Sequence, residues 1–254
     1  MKTWGTALLL LSALPALAQQ KTAHADLTSN QLGAVNLRDL DRLGNLTTGL
    51  TFDRRYSETR GTPYTAAAWL PASLLLRSGQ RVADVQLKYD AYGARLLALR
   101  TNKDSVQLDL NMVDRFVLRQ HVVDAEGRGR EQERWYQRLE GLPAVNDNTF
   151  VEVLLPPAAT GYALYKLPRK HFVPAKTKQS FGTGIDYNRF VDASEFYLRA
   201  ADGSVQKIDK LSARSLEEVL NATDAARLRA LKLRIGTEAE LKNAVMVLNQ
   251  PNTP

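Results

Sequence analysis

Histidine is too scarce and too badly placed to build a site. The chain has three, His24, His121 and His171. His24 falls in a polar N-terminal stretch. His121 is expected to open a strand and is followed three residues on by Asp124. In an extended chain those two point to opposite faces, so they do not form a base and its orienting carboxylate. His171 stands among Lys166, Arg169, Lys170, Lys176 and Lys178, a run with no acid in it. There is no H-E-x-x-H and no closely spaced histidine pair, so no metal ligands are assigned. Cysteine is absent, which removes thiol nucleophiles, thiolate zinc sites and disulfides. No G-x-S-x-G, and no S-x-x-K with its companion motifs, marks a serine nucleophile.

Phe181-Gly182-Thr183-Gly184 resembles a phosphate loop only in its glycines. It lacks the Lys-Ser/Thr and the following helix, and reads as a hairpin loop. Carboxylates are plentiful, and a glycan-hydrolysing pair needs only two acids about 5 to 9 Å apart. Glu131 and Glu133 share a face of one strand. Mixed with Glu126, Arg128, Arg130 and Arg134, they read more simply as a solvated hairpin. No catalytic residue and no cofactor is assigned.

Cations interleaved with aromatics are the remaining chemistry. Arg60, Tyr64 and Trp69 are one candidate binding group, because arginine and aromatic side chains recur at recognition sites. Lys166, Arg169 and Lys170, beside Tyr165, His171 and Phe172, are a second. Such a mixture can hold an anionic polymer by stacking and charge. The plainer accounts are aromatic packing at a sheet rim and lysines guarding an edge strand. The formal charge of +7 favours anionic partners, and it serves solubility as readily.

Several elements must position these residues. From Leu74 to Leu118 short apolar runs alternate with turns, as in Val85-Gln86-Leu87-Lys88-Tyr89 and Val106-Gln107-Leu108-Asp109-Leu110. That period of two, with turns every eight to twelve residues, predicts an antiparallel meander. It continues through Arg134–Leu139, Phe150–Leu155, Tyr162–Leu167, Glu195–Ala200 and Val205–Ile208, giving nine or ten strands. Ala201-Asp202-Gly203 is a strong hairpin signal. After Asp209 the period becomes helical. Ser212 caps a first helix, Thr223 or Asp224 a second that ends near Gly236, and Thr237-Glu238-Ala239-Glu240 is a capping box opening a third. Pro251 stops it.

The N-terminus carries an address. Met1-Lys2, the apolar run Ala7–Leu14, Pro15 and Ala16-Leu17-Ala18 match a secretory signal cleaved after Ala18. No later stretch is long enough for a transmembrane helix. The expectation is an exported protein, periplasmic or secreted, and without cysteine not a lipoprotein. Sequons at Asn45 and Asn221 matter only in a glycosylating host.

Phe52-Asp53-Arg54-Arg55-Tyr56, Arg60-Gly61-Thr62-Pro63-Tyr64, Trp69, Leu87-Lys88-Tyr89-Asp90, Val113 and Phe116 form the most distinctive series. In these residues the chain resembles an exported protein family of Bacteroidetes with no assigned activity, over residues 46 to 248. The resemblance implies a Gram-negative envelope setting and no catalytic residues.

The sequence therefore predicts an α+β protein, an antiparallel β-rich meander with a C-terminal cap of three short helices. Residues 1–18 are the signal, 19–44 a polar arm, 45–209 the β body and 210–254 the helical subdomain. The expected role is a non-enzymatic envelope or secreted binding or structural protein whose partner is an anionic envelope polymer or another envelope protein. The alternative is a carboxylate-dependent hydrolase acting on glycans.

Overall fold

The computed structural model describes residues 56, 58–124, 126–142, 149–157, 161–175 and 187–250, and the backbone of 47–50. The predicted signal, polar arm, Phe52–Arg55, His24, Asn45, Lys176, Lys178, Gly182, Gly184 and Pro251 lie outside the described residues.

Eleven antiparallel strands form one sheet and two form another. The first meander is β2 (Leu70–Leu76), β3 (Arg81–Asp90), β4 (Arg95–Leu99) and β5 (Ser105–Leu108), with β1 (Thr47–Leu50) beyond β5. The second is β6 (Val113–Val123), β7 (Gly129–Gln137), β8 (Val151–Leu155) and β9 (Ala163–Leu167). They join because β6 pairs with β2 rather than β5, after a 3-10 turn at Leu110–Met112 capped by Asp109. Beyond β9 the sheet continues with β12 (Glu195–Arg199) and β13 (Val205–Ile208). The intervening β10 (Lys170–Val173) and β11 (Arg189–Asp192) pair with each other as the small sheet.

The strands thus outnumber the nine or ten expected. Phe116–Leu118 and His121–Val123 are parts of one long strand, so His121 lies near the end of β6 rather than at a strand start. Its hairpin partner β7 begins at Gly129, opposite Val123. β3 breaks its own alternation at Asp84, which takes φ 56°. There the register with β2 jumps from Leu74↔Val82 to Ala72↔Val85, so both valines, three apart, face the core. This is a bulge: an extra residue on one strand resets which side chains point inward.

One face of the first meander, with β6 beside it, buries Leu74, Val85, Leu87, Leu96, Leu108 and Phe116 almost completely. Each such side chain contributes roughly 1.5 to 3 kcal/mol by leaving water. Four rings close this core. Phe116 stacks on Tyr136 at 4.6 Å and 9°, and Tyr89 and Phe150 meet them edge-on. Burial pushes the Tyr89 phenol up to about 12.

The helices cover the other end of the sheet. They are α1 (Ala213–Glu217), α2 (Ala222–Leu231) and α3 (Glu238–Leu248). Leu216, Leu228, Leu241, Val245 and Leu248 pack with Leu164, Phe196, Leu198 and Ile208 in one apolar cluster. Ser212 and Thr237 cap α1 and α3 as expected, each accepting a backbone N–H through its hydroxyl. α2 starts earlier than predicted. Asn221, not Thr223 or Asp224, is the cap, and its side-chain oxygen accepts the Asp224 N–H. Asparagine caps as well as aspartate or threonine, and here it also donates to the Tyr162 hydroxyl at 2.9 Å. Lys232 at φ 49° ends the helix, so Gly236 is not its terminator. The architecture is α+β and β-rich, and no described helix is long and apolar enough to cross a membrane.

Candidate functional site

The structure disperses the first candidate group. Tyr64 and Trp69 converge on Lys88, whose ammonium lies 4.9 Å and 5.0 Å from their ring centres. Burial lowers the Lys88 pKa. Arg60 instead lies over Tyr187 at 3.9 Å. Its backbone is structural: Arg60 N–H donates to Asn188 and Phe190 N–H donates to Arg60, tying this segment to the small sheet. Gly61 follows at φ 79°, and a Cβ there would meet the Phe190 carbonyl at 3.0 Å. The turn is therefore glycine-dependent, and the arginine beside it anchors backbone.

The second group is spent on ion pairs. Lys170 pairs with Asp192, its partner in the small sheet, at 3.2 Å. Arg169 lies 3.9 Å from Glu195. Lys166 is not on an exposed hairpin. It sits in β9 and donates to Glu238 of α3 at 2.7 Å. Cross-strand pairing puts Glu152 beside Lys166, and Glu152 takes two hydrogen bonds from Arg134, of 2.8 and 2.7 Å. Arg134, Glu152, Lys166 and Glu238 thus form a row of alternating charges from β7 to the first turn of α3. Its inner members are mostly buried, and mutual pairing is what makes burial tolerable.

The carboxylates once considered for hydrolysis do not converge. Glu131 is exposed at the sheet rim. Glu133 pairs with Arg119 at 3.1 Å. A cleft of about 410 Å³ beside α2 does hold acids, among them Asp202 and Asp224. Asp224 accepts from the Tyr162 hydroxyl and from Asn221, both at 2.7 Å. Asp202 accepts from the Ser204 hydroxyl and N–H, which holds its carboxyl below the ordinary range. A general acid needs the opposite shift. No described group of histidines and acids could hold a metal ion.

A second cleft, about 650 Å³, has a different character. Four arginines from separate elements line it: Arg77 after β2, Arg115 in β6, Arg138 after β7 and Arg199 at the end of β12. Cross-strand register places Leu75, Arg115 and Gln137 in one row. The Arg77 N–H donates to Met112 at 2.8 Å, which fixes the turn that carries it. Arg138 donates to the carbonyls of Leu110 and Val113, so its guanidinium is held to the wall by backbone.

The other three guanidiniums are less committed. Neither Arg77 nor Arg199 meets a carboxylate among the described residues. Arg115 approaches Asp114 only at 3.7 Å, and its Nε is buried without a hydrogen-bond acceptor. Arg199 stands beside Tyr165. Burial pushes that phenol up and the Arg199 charge pulls it back. Asp114 and Glu140 are the acids that line the cleft. Neither cleft is lined by Arg60, Tyr64, Trp69, Lys166, Arg169 or Lys170.

Sequence reasoning missed the arginine cleft. Its four cations are isolated in the chain and meet only through strand pairing. The available signal was weak: Arg77 and Arg199 each lie at the end of an apolar run. No family model, no curated protein and no solved structure matches this chain.

Proposed function

We propose that this chain is a non-enzymatic exported protein that binds an anionic partner in the arginine cleft. The observation that carries the reading is Arg77, Arg115 and Arg199 lining one cleft without a hydrogen-bonded carboxylate among the described residues. Cations held together repel one another unless an anion lies between them. Ordinary surface arginines find acids, as Arg100 finds Asp104 and Arg128 finds Asp124 here. Residues 1–18 read as an export signal, which supports a partner met in the cell envelope or outside. Lys166, Arg169 and Lys170 support the fold on this reading and do not contact the partner.

The test is binding of a soluble polyanion such as heparin, followed by calorimetry at two salt concentrations. Neutralising three anionic groups releases about that many counterions, so affinity falls about twentyfold to fortyfold between 50 and 200 mM salt. The triple variant R77Q/R115Q/R199Q loses most of the affinity and its salt dependence. Binding that ignores salt, or survives the triple substitution, overturns the assignment.

A further inference from the structure

We infer that the far end of the β6–β7 hairpin is a docking edge for a second copy of this chain, with Val122 of β6 set opposite Val122 of the copy. No residue of this part of the hairpin lines the arginine cleft, and the edge does not depend on the cleft's reading as an anion site.

The two strands outrun their neighbours. β2 pairs with β6 only as far as Leu118, and the next residue of β2 in that register, Pro71, has no N–H to offer. β8 pairs with β7 only over Trp135, Tyr136 and Gln137. Yet β6 and β7 stay paired with each other out to Val123 and Gly129. Beyond Leu118 they are therefore a ribbon of two strands whose outer edges carry no further strand among the described residues. The ribbon is well formed. Arg119 and Glu133 pair across it at 3.1 Å, and the Asp124 carboxylate ties the tip by accepting the backbone N–H groups of Glu126 and Arg128. Two strands alone are marginal in water, and an added strand relieves that.

The two edges differ in what they admit. On β7, Gly129, Arg130, Glu131, Gln132 and Glu133 are all exposed. A two-fold axis normal to the sheet brings residues of the same face together across an antiparallel pair of copies. Centred on Arg130, Glu131 or Glu133, it sets that charge against itself. Centred on Gln132, it sets Glu131 against Glu133. Like charges directly opposite are destabilising, so the β7 edge rejects its own copy.

The β6 edge has no such guard. It reads Gln120-His121-Val122-Val123, and Val123, 62% exposed, is the most exposed large hydrophobic side chain among the described residues. With Val122 on the axis, Val122 meets Val122, His121 meets Val123 on the other face, and Gln120 meets Asp124. No like charges oppose, both faces gain an apolar contact, and β-branched pairs suit a pleated surface. Centring on His121 instead sets the imidazoles against each other. It also sets Val123 against Arg119, which is already bound to Glu133 and Ser73. An unguarded edge beside a guarded one is where a strand can be added. Roughly five residues a side, against roughly 20 to 30 in a stable complex, make this a weak and reversible dimer.

Sedimentation equilibrium of the full chain tests the association. From roughly 10 μM to 1 mM the mean mass should rise from monomer toward dimer, the range expected of so small an interface. The chain has no cysteine, so a single introduced one reports on a single position. Under mild oxidation V122C should cross-link about tenfold faster than Q120C. Opposed residues of antiparallel strands have Cα atoms about 4.5 to 5.5 Å apart, within reach of a disulfide. In this register the two copies of residue 120 lie about 13 Å apart along the strands, beyond that reach. V122K sets two ammonium groups opposite each other and should hold the chain monomeric, with its thermal melt by circular dichroism unchanged. Should V122K fail to fold, the comparison of V122C with Q120C decides alone.

A chain that stays monomeric to about 1 mM overturns the proposal. So does a folded V122K variant that still dimerises, or cross-linking at Gln120 as fast as at Val122. Association through any other surface gives those last two results.

Discussion

Arg134 reaches from β7 to Glu152 of β8 through two parallel hydrogen bonds, of 2.8 and 2.7 Å, with side chains 14% and 7% exposed. Removing one partner leaves the other charge buried alone. Glu152→Gln should cost about 3 to 5 kcal/mol, seen as a fall in Tm on the order of 10 °C. The double variant R134M/E152L should recover most of the loss, since apolar residues of similar volume often replace a buried pair at little cost. A single-variant loss below about 1 kcal/mol would sink this account.

Asn249 is the hinge pin of the helical cap. Its side-chain oxygen accepts the Tyr162 N–H at 2.7 Å, and its amide donates to the Tyr162 carbonyl at 2.8 Å. Asn249→Ala orphans both backbone groups and should cost about 2 kcal/mol. Gly161→Ala should perturb the same contact, because a Cβ there would stand 2.7 Å from that oxygen. The two changes should be non-additive in a double-mutant cycle. Hydrogen exchange in α3 should quicken in either variant.

Alkaline pH should loosen the same region. Burial, with Asp224 beside the hydroxyl, pushes the Tyr162 phenol up to about 12. The folded state therefore holds this proton more tightly than the unfolded chain. The stability it contributes is complete below pH 10 and is lost as pH rises from 10 toward 12. Urea unfolding across that range should show a falling midpoint. Tyr162→Phe should flatten the slope, and an unchanged slope would count against the assignment.

At the other end of the scale, the cap of α3 should weaken in acid. Glu240 accepts the Gly236 N–H at 2.8 Å and the Thr237 hydroxyl at 3.1 Å, contacts that hold its carboxyl below the ordinary value. Its contribution is present above the ordinary carboxylate pKa and lost as pH falls through the depressed one. Thr237→Ala removes the hydroxyl that Glu240 shares and should cost about 1 kcal/mol. Thermal melts at neutral pH measure that cost directly.

Locally determined features were legible in the residues. The Ala201-Asp202-Gly203 hairpin forms as expected, with Gly203 at φ 89°, because two or three residues settle its geometry. The Thr237 cap is equally local. The Asp84 bulge hid the start of β3, since it breaks the alternation by which a strand is recognised. Lys166 read as a solvated cation because its partner, Glu238, lies 72 residues away. The pairing of β6 with β2 is also nonlocal, and it carries Arg115 into a cleft with Arg77 and Arg199. Composition gave the net charge, but only the register shows where that charge gathers.

The small sheet departs from the large one after Leu167 and returns at Glu195, and those two residues are partners across β9 and β12. The described residues between them, β10 and β11, pair outside the large sheet. Evolution could lengthen, shorten or exchange this excursion without disturbing the ladder on either side. Among the described residues it is held at one place: Arg60 bonds to Asn188 and Phe190 through its backbone and lies over Tyr187, and Tyr56 and Tyr92 meet Phe190 edge-on. A graft that respects that place makes this rung a natural port for a foreign module.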